Sequence, residues 1–240
     1  MNLILIEPDE CRGDLATLGG ERARHVHDVL RLHPGDSLRI GLLNGPPGEG
    51  TVVESSPAHL VVRCAWGEPR PRPSLDLILA VPRPKVMRRL WSQLSALGLH
   101  RIWMVNAGKV EKPYFSSHVL EPETYLPLLR EGLQQACDTW LPDVQVVTRL
   151  KPFLEDEAPE LFARHDRWVA HPGAGSIAPA CEASGPRVIA IGPEGGWTPF
   201  EIALFAAAGF TPFSPTSRIL RSDTFCITAL AAASWHLPRE

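Results

Sequence analysis

Apolar residues in the first 68 positions come in short runs that are continuous or alternating. Leu3–Ile6, Ser37–Leu43, Gly50–Glu54 and Leu60–Cys64 are such runs, set apart by Gly, Pro and Asn, and they predict strands. Between them, Glu21–Leu32 carries Val26, Val29 and Leu30 at helical spacing, with His33-Pro34-Gly35-Asp36 as its stop. Short strands around one helix predict a small β-barrel. The segment Glu68-Pro69-Arg70-Pro71-Arg72-Pro73 breaks the pattern as a stiff linker. Domains are therefore expected at 1–72 and 73–240.

After residue 74 the pattern changes to alternating strands and helices. Leu75–Val81, Arg101–Val105, Val144–Val147, Arg167–His171, Arg187–Ile191 and Thr211–Pro215 predict strands. Lys85–Leu97, a stretch within Glu121–Thr139, Thr198–Ala208 and Asp223–His236 predict helices. Strands spaced by helices imply an α/β fold, with a mostly parallel sheet covered on both faces.

Composition narrows the class. Of 240 residues 44% are apolar and 21% charged, as in ordinary globular proteins. The 24 prolines are about twice the usual share and fall mostly in connections. Five scattered cysteines without a CxxC pair argue against a disulfide framework or a zinc site and suit a reducing cytosol. The Leu3–Ile6 run is too short for a secretory leader, and Glu7 follows it. No stretch reaches the ~20 apolar residues of a membrane span, so a cytoplasmic protein without a membrane partner is expected.

The net charge of -3 is unevenly spread. Residues 63–101 hold eight Arg/Lys, Arg83 and Lys85 among them, against two acids, whereas residues 109–160 hold ten acids against five bases. Such a band can steer a polyanion to one face, or simply coat a solvated helix and linker. Around the N-terminal helix, Arg22, Arg24, His25, Arg31 and His33 cluster, but Asp14, Glu21, Asp28 and Asp36 are interleaved, so a solvated face is the default there.

Candidate chemistry concentrates near the C-terminus. The apolar strand Arg187–Ile191 runs into Gly192-Pro193-Glu194-Gly195-Gly196. Thr198-Pro199-Phe200-Glu201 then opens a helix with a threonine N-cap, a first-turn proline and a glutamate three residues after the cap. Ligands of open α/β sheets bind at the carboxyl ends of strands, where glycines admit them; a tight turn without a ligand is the alternative. There is no GK[ST] for a P-loop and no GxGxxG, and Glu194 suits a neutral or cationic ligand better than an anion. Arg218-Ile219-Leu220-Arg221-Ser222-Asp223-Thr224 follows, with Ser222 as a candidate cap and Asp223 favouring the helix dipole. His171-Pro172 ends another strand, and Trp197 is placed to wall a pocket.

Together these residues resemble the ribosomal RNA small-subunit methyltransferase E family of the SPOUT superfamily. The matching residues are His25-Val26, Val29-Leu30-Arg31 and Pro34-Gly35-Asp36, then Ala96-Leu97-Gly98-Leu99, His171-Pro172, Ile191 to Gly196 and Arg218 to Arg221. The resemblance implies a PUA-like β-barrel for RNA contact and a trefoil-knotted α/β methyltransferase domain. It implies S-adenosyl-L-methionine as cofactor, a homodimer, no metal, and N3 of one uridine in 16S rRNA of the small ribosomal subunit as target. Cofactor contacts are expected from His171, Pro172, Ile191, Gly192, Pro193, Glu194, Gly195, Gly196, Pro215, Ile219, Leu220 and Thr224. RNA contacts are expected from Arg24, His25, Arg31, Arg83 and Lys85. Arg221 is the candidate to stabilise charge on the base, Arg218 to bind phosphate or base, and Asp223 to orient Arg221 or accept a proton. The chain departs from the family pattern at Pro215-Thr216, Asp223, Phe225 and Gln135–Thr139. Another RNA substrate, or a non-catalytic RNA-binding relative, remains an alternative.

Overall fold

The computed structural model describes residues 2–172, 174 and 185–234. They divide into two units, Met1–Arg72 with Arg130–Leu141, and Pro73–Leu129 with Pro142–Glu240. The unit boundary at Arg72/Pro73 falls in the proline-rich linker, and the first unit also takes a later segment.

In the first unit, β1 (Ile4–Ile6), β2 (Cys11–Arg12), β3 (Leu15–Gly19), β4 (Ser37–Leu42), β5 (Pro47–Ser55) and β6 (His59–Trp66) form one sheet. Its order is β1-β4-β5-β6-β3-β2, antiparallel except for the β1–β4 pair. Alternate residues point inward, so Ala16, Leu18, Ile40, Val52, Leu60 and Val62 are buried with Val26 in one apolar core. The end strands β1 and β2 are not paired with each other, so the sheet is open where the sequence predicted a barrel. The predicted helix is two pieces, an α-turn Gly20–Arg24 and a π-helical segment His25–Leu30. It ends at Arg31, which takes a left-handed φ of 53°, before the predicted His33-Pro34 stop.

Residues 130–141 belong to this unit for identifiable reasons. Leu133 packs with Leu3, Leu5 and Leu43. Thr139 Oγ1 donates to the Gly45 carbonyl at 2.6 Å, and Asp138 Oδ1 accepts the Thr139 N–H at 2.6 Å. Thr139, where the chain departs from the family pattern, therefore ties this segment to the turn between β4 and β5, while Asp138, another departure, bonds only its neighbours Thr139 and Trp140.

The second unit is an α/β layer structure. Its strands are β7 (Leu75–Ala80), β8 (Leu99–Val105), β9 (Asp143–Val147), β10 (Asp166–Ala170), β11 (Arg187–Ile191) and β12 (Thr211–Phe213). They run in the order β12-β10-β11-β7-β8-β9, and all are parallel. β7 and β11 are buried at every position, as central strands covered on both faces must be. Helices Pro84–Ala96, Pro199–Ala207 and Ser222–Ser234 lie close to the predicted bounds. The core is notably aromatic, with Trp103 edge-on to Phe162 at 4.9 Å and Phe205 near Phe210 at 5.1 Å.

Candidate functional site

In the second unit the carboxyl ends of β10, β11 and β12 open onto a cavity of about 740 Å³. That lies within the usual range for small-molecule sites, about 300–1,000 Å³. Its wall joins three connections: Ala170, Pro172 and Ala174 after β10; Ile191 to Gly196 after β11; and Ser214 with Thr216 to Leu220 after β12. Ser222 and Phe225 of the last helix complete it.

The glycine loop is held from several sides. Thr198 caps the helix Pro199–Ala207 by accepting the Glu201 N–H, and Glu201 Oε2 accepts the Thr198 N–H at 2.7 Å. Glu201 Oε1 also accepts the Gly108 N–H at 2.7 Å, and Lys109 Nζ donates to the Gly195 carbonyl at 2.8 Å. The loop after β8 thus clamps the loop after β11. A side chain at Gly192 would meet the Trp197 backbone N and indole nitrogen, each 3.2 Å from its Cβ. Gly196 sits at φ +68°, where glycine is favoured.

Trp197, expected to wall a pocket, is instead buried beneath Gly192 with its ring 4.8 Å from Phe205. Glu194 lines the cavity, and its Oε1 accepts the N–H of Arg83 at 3.0 Å. Arg83 immediately precedes the helix Pro84–Ala96, so the carboxylate also complements that helix's positive end.

Of the other residues expected to bind cofactor, Pro172, Ile191, Gly192, Pro193, Gly195, Gly196, Ile219 and Leu220 line the cavity. His171, Pro215 and Thr224 are outside its lining. The His171 N–H donates to the Phe213 carbonyl at 2.9 Å, and its Nδ1 is buried without a hydrogen-bond partner among the described residues. Gly173 and Gly175, which follow His171-Pro172 in the sequence, lie outside the described residues.

Arg218 lines the cavity, whereas Arg221 is exposed and does not. Asp223 bonds Arg89 at 2.8 Å rather than orienting Arg221. The Thr224 N–H beside it, and then Arg89, outweigh its partial burial and hold its carboxyl below the usual range. Ser222, the expected cap, is the first residue of its helix. The residues expected to contact RNA fall in both units. Arg24, Arg31, Arg83 and Lys85 are exposed, but His25 turns its Nε2 into the interior.

The lining also contains residues that sequence reading missed, namely Ala170, Ala174, Ser214, Ser217 and the cap candidate Ser222. Only the order of the sheet brings their strand ends together. Thr216 and Phe225 carried a signal, since both stand at departures from the family pattern. Among the described residues no cluster of three or more His, Cys, Asp or Glu is arranged to hold a metal ion. No described helix is long and apolar enough to cross a membrane.

Ligand-sized, backbone-lined and set at the carboxyl edge of a parallel sheet, this cavity is the kind a nucleotide-type cofactor enters in α/β transferases. The family described as "RNA methyltransferase domain" matches residues 68–234, and the chain belongs to that family. It is 29% identical to the ribosomal RNA small subunit methyltransferase E of Treponema pallidum, over 96% of this chain and 90% of that one. It is 27% identical to ribosomal RNA small subunit methyltransferase E 1 of Borreliella burgdorferi, over 95% of each chain. Its fold is shared with the methyltransferase E of Neisseria gonorrhoeae solved with S-adenosyl methionine, at TM-score 0.79, 17% identity and 98% coverage of both chains.

Proposed function

We propose that this chain is an S-adenosyl-L-methionine-dependent RNA methyltransferase that acts on N3 of a uridine in 16S rRNA of the small ribosomal subunit. The cavity at the carboxyl edge of the parallel sheet carries this reading, in a chain of the RNA methyltransferase family. The lining fits the cofactor. Its volume of about 740 Å³ and glycine-rich wall admit an adenosine, and the charged lining residues among those described, Glu194 and Arg218, match a cationic sulfonium and a carboxylate. The sulfonium supplies an electrophilic methyl group.

The chain's own residues do the remaining work. Backbone groups of the loops after β10, β11 and β12 hold adenine and ribose, and the Lys109–Gly195 and Glu201–Gly108 bonds keep the loop after β11 in place. Uridine N3–H would give its proton to solvent, and the nitrogen would take the methyl group as its bond to sulfur breaks and a neutral thioether leaves; negative charge on the base oxygens has to be stabilised meanwhile. Arg221, exposed beside the cavity wall, stabilises that charge, and Arg218 holds phosphate or base. Asp223, bonded to Arg89 and to the Thr224 N–H, is placed on the same connection to position Arg221 or to receive a proton.

The same reading makes residues 1–72 a PUA-like RNA-binding domain and residues 73–240 a SPOUT trefoil-knotted domain in a cytoplasmic homodimer. The strand order, in which β11 lies between β10 and β7, supports the second assignment.

The test is transfer of labelled methyl to small subunits lacking the modification, followed by nucleoside analysis. N3-methyluridine is the expected product. Equal labelling of transfer RNA would instead indicate another RNA substrate, and absence of any transfer a non-catalytic RNA-binding relative.

A further inference from the structure

In the first unit, at the end of the π-helical segment, lies a second cavity of about 390 Å³. We infer that it is a guanine-selective pocket for one nucleotide of single-stranded RNA. The inference rests on the RNA methyltransferase reading and adds to it a base that the protein reads away from the cofactor cavity. Asp28, Arg31, His27 and His33 bring polar groups to the cavity, and Leu32 and Pro34 bring apolar surface.

Local structure sets these residues out. Val26 is fully buried in the sheet core and anchors the segment. The wide π-turn and the left-handed Arg31, φ 53°, then swing the following side chains outward; such irregular backbone is frequent at functional sites. The Asp36 carboxylate accepts the His33 N–H at 2.7 Å and fixes the far rim. His27 Nδ1 lies 3.4 Å from Ser55 Oγ on β5, which orients the ring and leaves Nε2 open.

Asp28 and Arg31 are the informative pair. Both are exposed and face one cavity, yet neither makes an ion pair or side-chain hydrogen bond with any described residue. A simple anion would meet Asp28 and a simple cation would meet Arg31. A ligand that satisfies both carries a donor edge and an anionic tail, as a nucleotide does. A carboxylate only accepts hydrogen bonds. Guanine alone among the four bases presents two adjacent donors, N1–H and the N2 amino group, on its pairing edge. Adenine and cytosine set one amino donor beside an acceptor, and uracil sets one N–H between two acceptors. Arg31 then takes the phosphate through its planar fork. Leu32, Pro34 and the imidazoles bed the base face, as sequence-reading RNA sites do with unstacked bases. A volume near 390 Å³ suits one nucleotide rather than a duplex edge.

The experiment is fluorescence anisotropy on the full chain with short single-stranded oligouridines carrying one central G, A or C, or none. The G-containing oligomer is expected to bind at least about fivefold tighter, the lower end for a bidentate base contact. Asp28→Asn replaces an acceptor pair with one donor and one acceptor, so the preference should fall to within about twofold. Arg31→Met should weaken all four oligomers by a similar factor. Both positions are exposed, and circular dichroism on the variants checks folding. Equal binding of the four oligomers by the wild-type chain, or a guanine preference that survives Asp28→Asn, overturns the proposal. Cofactor titration of the same preparations separates the two readings. Cofactor binding without guanine preference overturns the pocket alone. Guanine preference without cofactor binding supports the pocket and overturns the enzyme reading.

Discussion

At the amino ends of β7, β8, β10 and β11 the parallel sheet gathers charges and pairs them, whereas at the carboxyl ends of β10, β11 and β12 it gathers glycines and open backbone. Asp76, fully buried, has Oδ2 3.0 Å from His165 Nε2 and Oδ1 3.5 Å from His100 Nδ1. Arg187, also fully buried, reaches Asp166 at 3.9 Å and donates to the Ala233 carbonyl. Burial alone would raise the Asp76 carboxyl, but hydrogen bonds and charge from the two histidines outweigh it and hold it below the usual range. At the opposite edge the cavity wall has two charged residues among those described, Glu194 and Arg218, and glycines, serines and apolar side chains make up most of the rest. One sheet thus carries a sealed end that stabilises it and an open end that admits a ligand. The lesson is that buried charge does not by itself mark the working end; groups left accessible to a ligand do.

Substitutions at the two edges should separate turnover from stability. The largest effect is expected for Arg221→Ala at the open edge, a fall of about 10²–10³ in methyl transfer with cofactor affinity retained, the usual loss when a charge-stabilising donor is removed. Radiolabel transfer to small subunits, alongside calorimetry, measures both. At the sealed edge Asp76→Ala should lower folding stability by about 2 kcal/mol, because the half-buried His165 loses its hydrogen-bond partner. Urea titration reads that loss, and cofactor affinity per folded molecule should be unchanged.

Gly192→Val comes next. Its new side chain meets the Trp197 backbone and indole, so the loop must shift and cofactor Kd should rise about tenfold, or 1.4 kcal/mol. The pH response sharpens the contrast further. A carboxyl held low in the folded state stabilises it above its unfolded value, here 3.8, and that stabilisation disappears as pH falls through the folded value. Urea midpoints between about pH 5 and about pH 2 should therefore fall more steeply for the wild-type chain than for Asp76→Asn. The smallest effect is expected for Lys109→Met, which removes the exposed bond to the Gly195 carbonyl. A rise in cofactor KM of about threefold with kcat unchanged should follow, about what one exposed hydrogen bond contributes.

What was legible in the sequence was local. Thr198-Pro199-Phe200-Glu201 announced its capping box, and β11 ends where its apolar run ends, because each depends on neighbours in the chain. The strands Cys11–Arg12 and Leu15–Gly19 were missed. In the latter the buried positions are Ala16 and Leu18, so the inward set includes a residue too small to mark an apolar face. The π-helical turn was also missed, because its spacing is close to that of an α-helix. Least legible were the non-local pairings. Asp76 with His165, and Thr139 with Gly45, join residues far apart in sequence, and the latter helps tie residues 130–141 to the first unit. The cavity shows the same division. Its glycine loop and Arg218 to Leu220 stood out as motifs, whereas Ala170 and Ser214 join it only because β10 and β12 are neighbours.

The most direct test of the open edge is calorimetric titration of the purified chain with S-adenosylmethionine, with ATP as the control and Gly192→Val in parallel. Saturable binding of S-adenosylmethionine alone, weakened about tenfold by the substitution, is the expected result. Absence of binding, or binding that Gly192→Val leaves untouched, would contradict the assignment of the cofactor to this cavity.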